Sequence, residues 1–107
     1  MSIQNIADPA VFAQVTGSGV CLVDFSAVWC GPCKAQEPVL EKLAAEFEER
    51  ATVAAVDVDK NPETAARMKI LSIPTLLLFR EGQEVDRFIG LQSEKVLSDA
   101  IQRDGKD

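Results

Sequence analysis

The stretch Val20-Cys21-Leu22-Val23-Asp24-Phe25-Ser26-Ala27-Val28-Trp29-Cys30-Gly31-Pro32-Cys33 decides how the rest of the chain is read. Its first part, Val20 to Phe25, is apolar except for Asp24, the pattern of a strand covered on both faces. Beyond it, from about Gly31 to Arg50, Val39, Leu40, Leu43, Ala44 and Phe47 recur at helical spacing, with Glu41, Lys42, Glu46, Glu48 and Glu49 largely on the opposite side. A buried strand therefore runs into an amphipathic helix, with two cysteines at the junction. Pro38 removes one backbone hydrogen bond from that helix and is expected to bend it.

Upstream, Asp8-Pro9 reads as an N-cap acceptor followed by proline at the first helical position, and this helix runs to Gly17-Ser18-Gly19. A short strand is expected before it, near Ile3–Ile6. Downstream, Thr52 to Val58 reads as a second buried strand, and Asn61-Pro62 repeats the N-cap and proline signature for a short helix ending near Lys69. Thr75 to Phe79 is an apolar strand behind Pro74. A turn at Glu81-Gly82-Gln83-Glu84 leads into a strand near Val85–Ile89, Gly90 closes that hairpin, and Ser93 caps a last helix holding Val96, Leu97, Ala100 and Ile101. Parallel βαβ units with a terminal hairpin predict an α/β fold: a central mixed β-sheet flanked by helices on both faces.

With 107 residues, 47% hydrophobic and 26% charged, the chain has the length and mix of one compact domain, 1–107, and too little length for two cores. Eleven basic against 17 acidic residues give a net charge of −6, which argues against a phosphate-tracking surface and hence against nucleic acid as a partner. Apolar runs such as Leu76-Leu77-Leu78-Phe79 fall far short of the ~20 residues a bilayer crossing needs. No basic start followed by an apolar stretch marks a secretory signal, so a cytoplasmic protein is expected. Three cysteines, an odd number, do not suit a structural disulfide framework in that setting.

Two of the three are spaced for chemistry. Cys30 follows a buried strand and opens a helix, where free backbone N–H groups and the positive dipole end favour thiolate over thiol. Cys30 is accordingly the expected attacking residue, with its sulfur exposed. Cys33 lies one turn along the same face and is the resolving thiol. A disulfide between them closes so short a loop that it adds little stability, so reversible exchange explains the pair better than a staple does. Gly31 and Pro32 carry no charge and leave the tuning of the thiolate to the helix end, which suits a reductant. Asp24, if buried, is expected to titrate above the ~3.9 of a free aspartate and to take the proton from Cys33.

These residues and their order resemble the thioredoxin family along essentially the whole chain. The resemblance rests on Val23-Asp24-Phe25, Trp29-Cys30-Gly31-Pro32-Cys33-Lys34, Pro38, Asp59, Asn61-Pro62, Ile73-Pro74-Thr75, Gly82 and Gly90. It implies a thioredoxin fold, protein-disulfide reductase activity through a redox-active Cys30–Cys33 disulfide, and a cis peptide at Ile73-Pro74. Also implied are a docking surface rimmed by Trp29, Gly31, Pro32, Ile73, Pro74 and Gly90, disulfide-containing client proteins, and a flavin- and NADPH-dependent thioredoxin reductase as electron source. The chain has no Gly-rich dinucleotide fingerprint, so no cofactor is expected on it, and a monomer is expected. Three positions depart from the pattern. Ser26 replaces a frequent aromatic and loosens the packing under the active-site loop. Ala55 stands where many relatives have a Lys near the buried aspartate, which leaves Asp24 harder to ionise. Cys21 is extra, and its apolar strand makes it an inert hydrophobe.

Two other classes compete. Cys-x-x-Cys is half of a zinc knuckle, but with no His and only Cys21 besides, a closed four-ligand site cannot be assembled in one chain, so no metal is expected. A non-catalytic binding module remains open as a second role. Replacing both thiols by Ser separates it from redox chemistry.

Overall fold

The computed structural model describes residues 3–104. Met1, Ser2 and residues 105–107, which the single-domain reading also takes in, lie outside the described residues. The elements are β1 (Gln4–Ile6), α1 (Pro9–Thr16), β2 (Val20–Ser26), α2 (Gly31–Glu46), β3 (Ala51–Asp57), α3 (Pro62–Arg67), β4 (Thr75–Arg80), β5 (Gln83–Ile89) and α4 (Glu94–Asp104). They build a five-stranded sheet in the order β1-β3-β2-β4-β5. The β1–β3 and β3–β2 pairs are parallel, while β2–β4 and β4–β5 are antiparallel, so the expected mixed sheet is present.

Alternation along β2 and β4 divides the core in two. Val20 and Leu22, with Leu76 and Leu78, pack under Leu40, Leu43 and Phe47 of the α2 segment and Leu97 and Ile101 of α4. Cys21, Val23 and Phe25, with Leu77 and Phe79, pack on the other face with Ile6 and Phe12. Successive strand side chains point to opposite faces, so a strand sandwiched between two helical layers needs apolar residues at every position. Asp24 shares the parity of Val20 and Leu22 and therefore lies on the α2 face of the sheet.

Several local expectations hold in detail. The Asp8 carboxylate accepts from Val11 N at 2.9 Å at the head of α1, and Ser93 Oγ accepts from Val96 N at 3.2 Å ahead of α4. Between β4 and β5, Glu81 (φ 50°) and Gly82 (φ 85°) both take positive φ, as a two-residue turn matched to strand twist demands. β5 consequently starts at Gln83, two residues earlier than the hydrophobic pattern suggests. Helix α2 runs unbroken through Pro38 but stops at Glu46, a turn short of Arg50. Phe47, 1% exposed, turns into the core there, and Arg50 N and Ala51 N both donate to its carbonyl.

Asn61 corrects a sequence reading. Its side chain does not cap α3. Being buried, it donates through Nδ2 to Ile6 O at 3.3 Å and Asp57 O at 3.0 Å, tying the start of α3 to the ends of β1 and β3.

Gln36, fully buried within α2, makes a reciprocal pair with Gln92: Gln36 Nε2 donates to Gln92 O at 3.0 Å, and Gln92 N donates to Gln36 Oε1 at 2.8 Å. This pair clamps the segment after β5, including Gly90, onto the first half of α2. Replacing Gln36 by Leu strands two backbone groups, and leaving buried polar groups unpaired costs about 1–3 kcal/mol each before relaxation. Gln36→Leu is expected to lower stability by roughly 2 kcal/mol in urea unfolding and to speed hydrogen exchange at Gln92 N selectively.

Candidate active site

The junction of β2 and α2 is closed by the Cys30–Cys33 disulfide, with the two Cα atoms 5.3 Å apart. Cys30 is the N-cap of α2, in extended conformation, and its Sγ accepts from Cys33 N at 3.2 Å. The helix head thus delivers one of its free donors to that sulfur. Gly31 and Pro32 form the exposed first positions of the helix, and a Cβ built on Gly31 would meet nothing within 4 Å. A side chain at Gly31 would extend into open space.

The expectation of an exposed Cys30 sulfur needs correction in this disulfide form. Cys30 is 5% and Cys33 3% exposed, because both pack with Ala27, and Val58 and Ile73 close over them. What is open is the rim. Trp29 is 67% exposed, and its indole Nε1 donates to Asp59 Oδ2 at 2.7 Å, which holds the ring against the β3–α3 connection.

On the far side the Ile73-Pro74 peptide is cis. Ile73 is partly exposed and Pro74 buried. Thr75 Oγ1 donates to Ser72 O at 2.7 Å and Gly90 N donates to Pro74 O at 2.8 Å, so the loops carrying Ile73 and Gly90 are joined. Gly90 has φ 92°, a conformation that a residue with a Cβ reaches only under strain. Val28, Leu71, Ile89 and Leu91 add exposed apolar side chains.

Beneath the disulfide, Asp24 is 2% exposed and its Oδ1 has no hydrogen-bond partner among the described residues. Its pKa is pushed up to about 7, first by loss of hydration and then by the negative charge of Glu37. Ala55 is its register partner on β3. Ser26 and Ala55, both small, border two cavities, one of about 440 Å³ touching Cys33 and Lys34 and one of about 260 Å³ touching Asp24, with Asn5 and Glu37 as further shared walls.

Cys21 is fully buried on the opposite face, and burial pushes its thiol up to about 12, far from a reactive thiolate. Among the described residues no group of three or more His, Cys, Asp or Glu could hold a metal ion, and no helix is long and apolar enough to cross a membrane.

Sequence reasoning passed over Glu37, Gln36 and Gln92. Glu37 stands four residues after Cys33, one helical turn, so the spacing could have placed it near the dithiol. Nothing in the spacing could have paired Gln36 with Gln92, 56 positions apart.

Comparisons with known proteins agree with this geometry. The family model described as Thioredoxin matches residues 4–103. A thioredoxin of Staphylococcus aureus is 48% identical over 103 residues, spanning 96% of this chain and 98% of its own length. Among solved structures, a variant thioredoxin from Halobacterium salinarum NRC-1 superposes with a TM-score of 0.93 at 37% identity, covering 99% of this chain and 93% of that one. The thioredoxin of Malassezia sympodialis gives 0.90 at 36% identity, covering 98% and 92%. The chain belongs to the thioredoxin family. Thiol–disulfide exchange is the activity of that family, and the Cys30–Cys33 pair supplies the couple that carries it.

Burial of Asp24 has a consequence for pH. With its native midpoint near 7 and an unfolded value near 3.8, the native state holds a proton that the unfolded chain has released. Its stabilising effect is complete below about pH 4 and is lost as pH rises through 7. Asp24→Asn is expected to remove that slope and to raise stability at pH 8 by on the order of 3 kcal/mol, read from urea unfolding at pH 5 and pH 8.

Proposed function

We propose that this protein reduces disulfides of client proteins by a two-step exchange in which Cys30 attacks and Cys33 resolves. The observation that carries the reading is the position of Cys30 Sγ at the head of α2, accepting the Cys33 N–H. In the reduced protein the same N–H and the helix dipole favour a thiolate at Cys30 over one at Cys33. That thiolate attacks one sulfur of the client disulfide. Cys30 becomes joined to the client, and the client's other sulfur leaves as a thiolate. Cys33 then gives up its proton and attacks Cys30 Sγ, expelling the client's first sulfur and regenerating the Cys30–Cys33 disulfide. Two electrons pass from protein to client.

Asp24 is the proposed acceptor of the Cys33 proton. Its midpoint near 7 lets it gain and lose a proton at neutral pH, and the shared walls of the two cavities link its surroundings to those of Cys33. Gly31 and Pro32 add no charge between the sulfurs and leave thiolate stability to the helix head. Trp29, Ile73 and Gly90 form the surface on which an extended client segment rests, while Pro74, expected on the rim, is buried behind it; the exposed indole, the partly exposed Ile73 and the neighbouring apolar side chains support this reading.

The oxidised protein must be reduced again, and a flavin- and NADPH-dependent thioredoxin reductase is the proposed donor. The chain acts as a single-domain, monomeric electron carrier in the cytoplasm. It binds no cofactor or metal of its own, and neither nucleic acid nor a membrane is its partner.

Cys33→Ser is expected to accumulate a client-linked species through Cys30 that dithiothreitol releases, with turnover reduced at least ~10²-fold, on the scale of losing a positioned acid–base or nucleophilic group. Cys30→Ser is expected to capture nothing. Trapping through Cys33 instead, shown by mass spectrometry of the linked peptide, would reverse the assigned order of attack. Asp24→Asn is expected to slow the resolving step while leaving the first attack unchanged, which stopped-flow fluorescence of Trp29 separates.

A further inference from the structure

The segment between α3 and β4 contributes much of a groove beside Trp29, yet little in its own backbone fixes its course. The groove, about 450 Å³, is lined by Trp29 and, from this part of the chain, by Ala65, Ile70, Leu71, Ser72 and Ile73. Leu71 is 95% exposed. Among the described residues no backbone carbonyl accepts from the N–H of Leu71, Ser72 or Ile73. The segment is anchored at its two ends instead. At the far end Thr75 of β4 donates to Ser72 O. At the near end Ile70 N donates to Ala65 O at 3.0 Å, and Lys69 takes φ 56°, a left-handed turn that a residue with a Cβ adopts only at a cost. That turn has an outside support. Arg87 of β5, the register partner of Leu77, donates through Nη2 to Met68 O at 2.8 Å and through Nη1 to Lys69 O at 3.3 Å. The Glu84 carboxylate orients the same guanidinium, accepting from Nε at 2.8 Å and from Nη2 at 3.0 Å.

We propose that Arg87 is a positioning residue for client docking, which holds the turn at Met68 and Lys69 and so fixes the placement of Leu71 to Ile73 beside Trp29. The inference rests on the client surface proposed above and adds a residue that touches neither client nor dithiol. A guanidinium suits the task because its planar fork serves a carboxylate and two carbonyls at once, and carbonyls at a helix C-terminal end attract a cation. The single nitrogen of a lysine cannot span all three. Without the fork the near end of the segment loses its tie to the sheet while the far end keeps Thr75. A client must then order that wall on arrival, and this cost falls on binding. Cys30 and Cys33 stand at the head of α2, packed with Ala27, and make no bond to Arg87 among the described residues, so the exchange chemistry itself is untouched.

The experiment compares a large and a small disulfide. Reduction of insulin with dithiothreitol as electron source gives KM and kcat without a reductase, and the rate with dithiobis(nitrobenzoate), too small to span the groove, reports the dithiol alone. Arg87→Met keeps most of the carbon stem and removes the fork. It is expected to raise KM for insulin roughly fivefold, with kcat and the small-disulfide rate within about twofold of wild type. Amide exchange at Ile70 is expected to quicken in the same variant. Arg87→Lys is expected to recover part of the loss, and Glu84→Gln, which leaves the fork but frees it, to raise KM by less. Should circular dichroism show Arg87→Met unfolded, Arg87→Lys and Glu84→Gln carry the same comparison against wild type. Ile73→Ser is the control for the client surface. A raised KM in Ile73→Ser with an unchanged KM in the Arg87 variants overturns the positioning role alone, whereas an unchanged KM in Ile73→Ser overturns the client surface and this role with it. A parallel loss with insulin and the small disulfide in Arg87→Met would put the effect at the dithiol and also overturn the role.

Discussion

Burial of β2 on both faces is the constraint on which the rest of the structure depends. Five of its seven residues have apolar side chains that divide between two helical layers, and that division requires α1 and α3 on one side and α2 and α4 on the other. Because the strand is held so firmly, its C-terminal end is a fixed point from which α2 departs. The helix head is thereby placed just beyond the C-terminal end of the sheet's central strand, and Cys30 meets the Cys33 N–H there. Firm burial of the scaffold and reactivity at its end are two results of one arrangement.

Asp24 is the exception that gives this arrangement its chemistry. At a position where packing alone would take Leu or Val, a carboxyl group is held away from water with no cation beside it among the described residues, and its proton is retained near neutrality. Fully burying an aliphatic side chain there would contribute roughly 2 kcal/mol, and the aspartate forgoes this while adding the cost of its own dehydration. The small side chains of Ser26 and Ala55 leave cavities on both sides of the Glu37 wall rather than closing the layer. Stability is thus given up where proton exchange becomes possible.

The rim is assembled differently from the sulfur pair. Trp29 is steadied by Asp59, Gly90 is joined to Pro74 by a backbone hydrogen bond, and the segment beyond Gly90 is clamped to α2 by Gln36 and Gln92. Three loops from distant parts of the chain are thereby held in register around a buried disulfide. An extended partner segment meets a preformed surface and gives up less ordering entropy than it would on mobile loops.

By itself the sequence determined the order of the elements, the two-sided burial of β2 and β4, and the Cys30–Cys33 couple at a helix start, since strand alternation, helical periodicity and capping are local and survive in a one-dimensional reading. It also carried the exception of Asp24, because a lone carboxyl in an apolar run stands out before any fold is known. Its local signals misled where a long-range partner prevailed. Asn61 reads as a cap but serves the carbonyls of Ile6 and Asp57, and the helical pattern runs on to Arg50 although Phe47 turns into the core. Only the tertiary structure decided the burial of both sulfurs under Val58 and Ile73, the cis geometry at Pro74, the pairing of Gln36 with Gln92, and the pocket between Asp24 and Glu41. Those features depend on side chains far apart in the chain meeting in space, and their geometry is set by the packing of β2, β3 and α2 together.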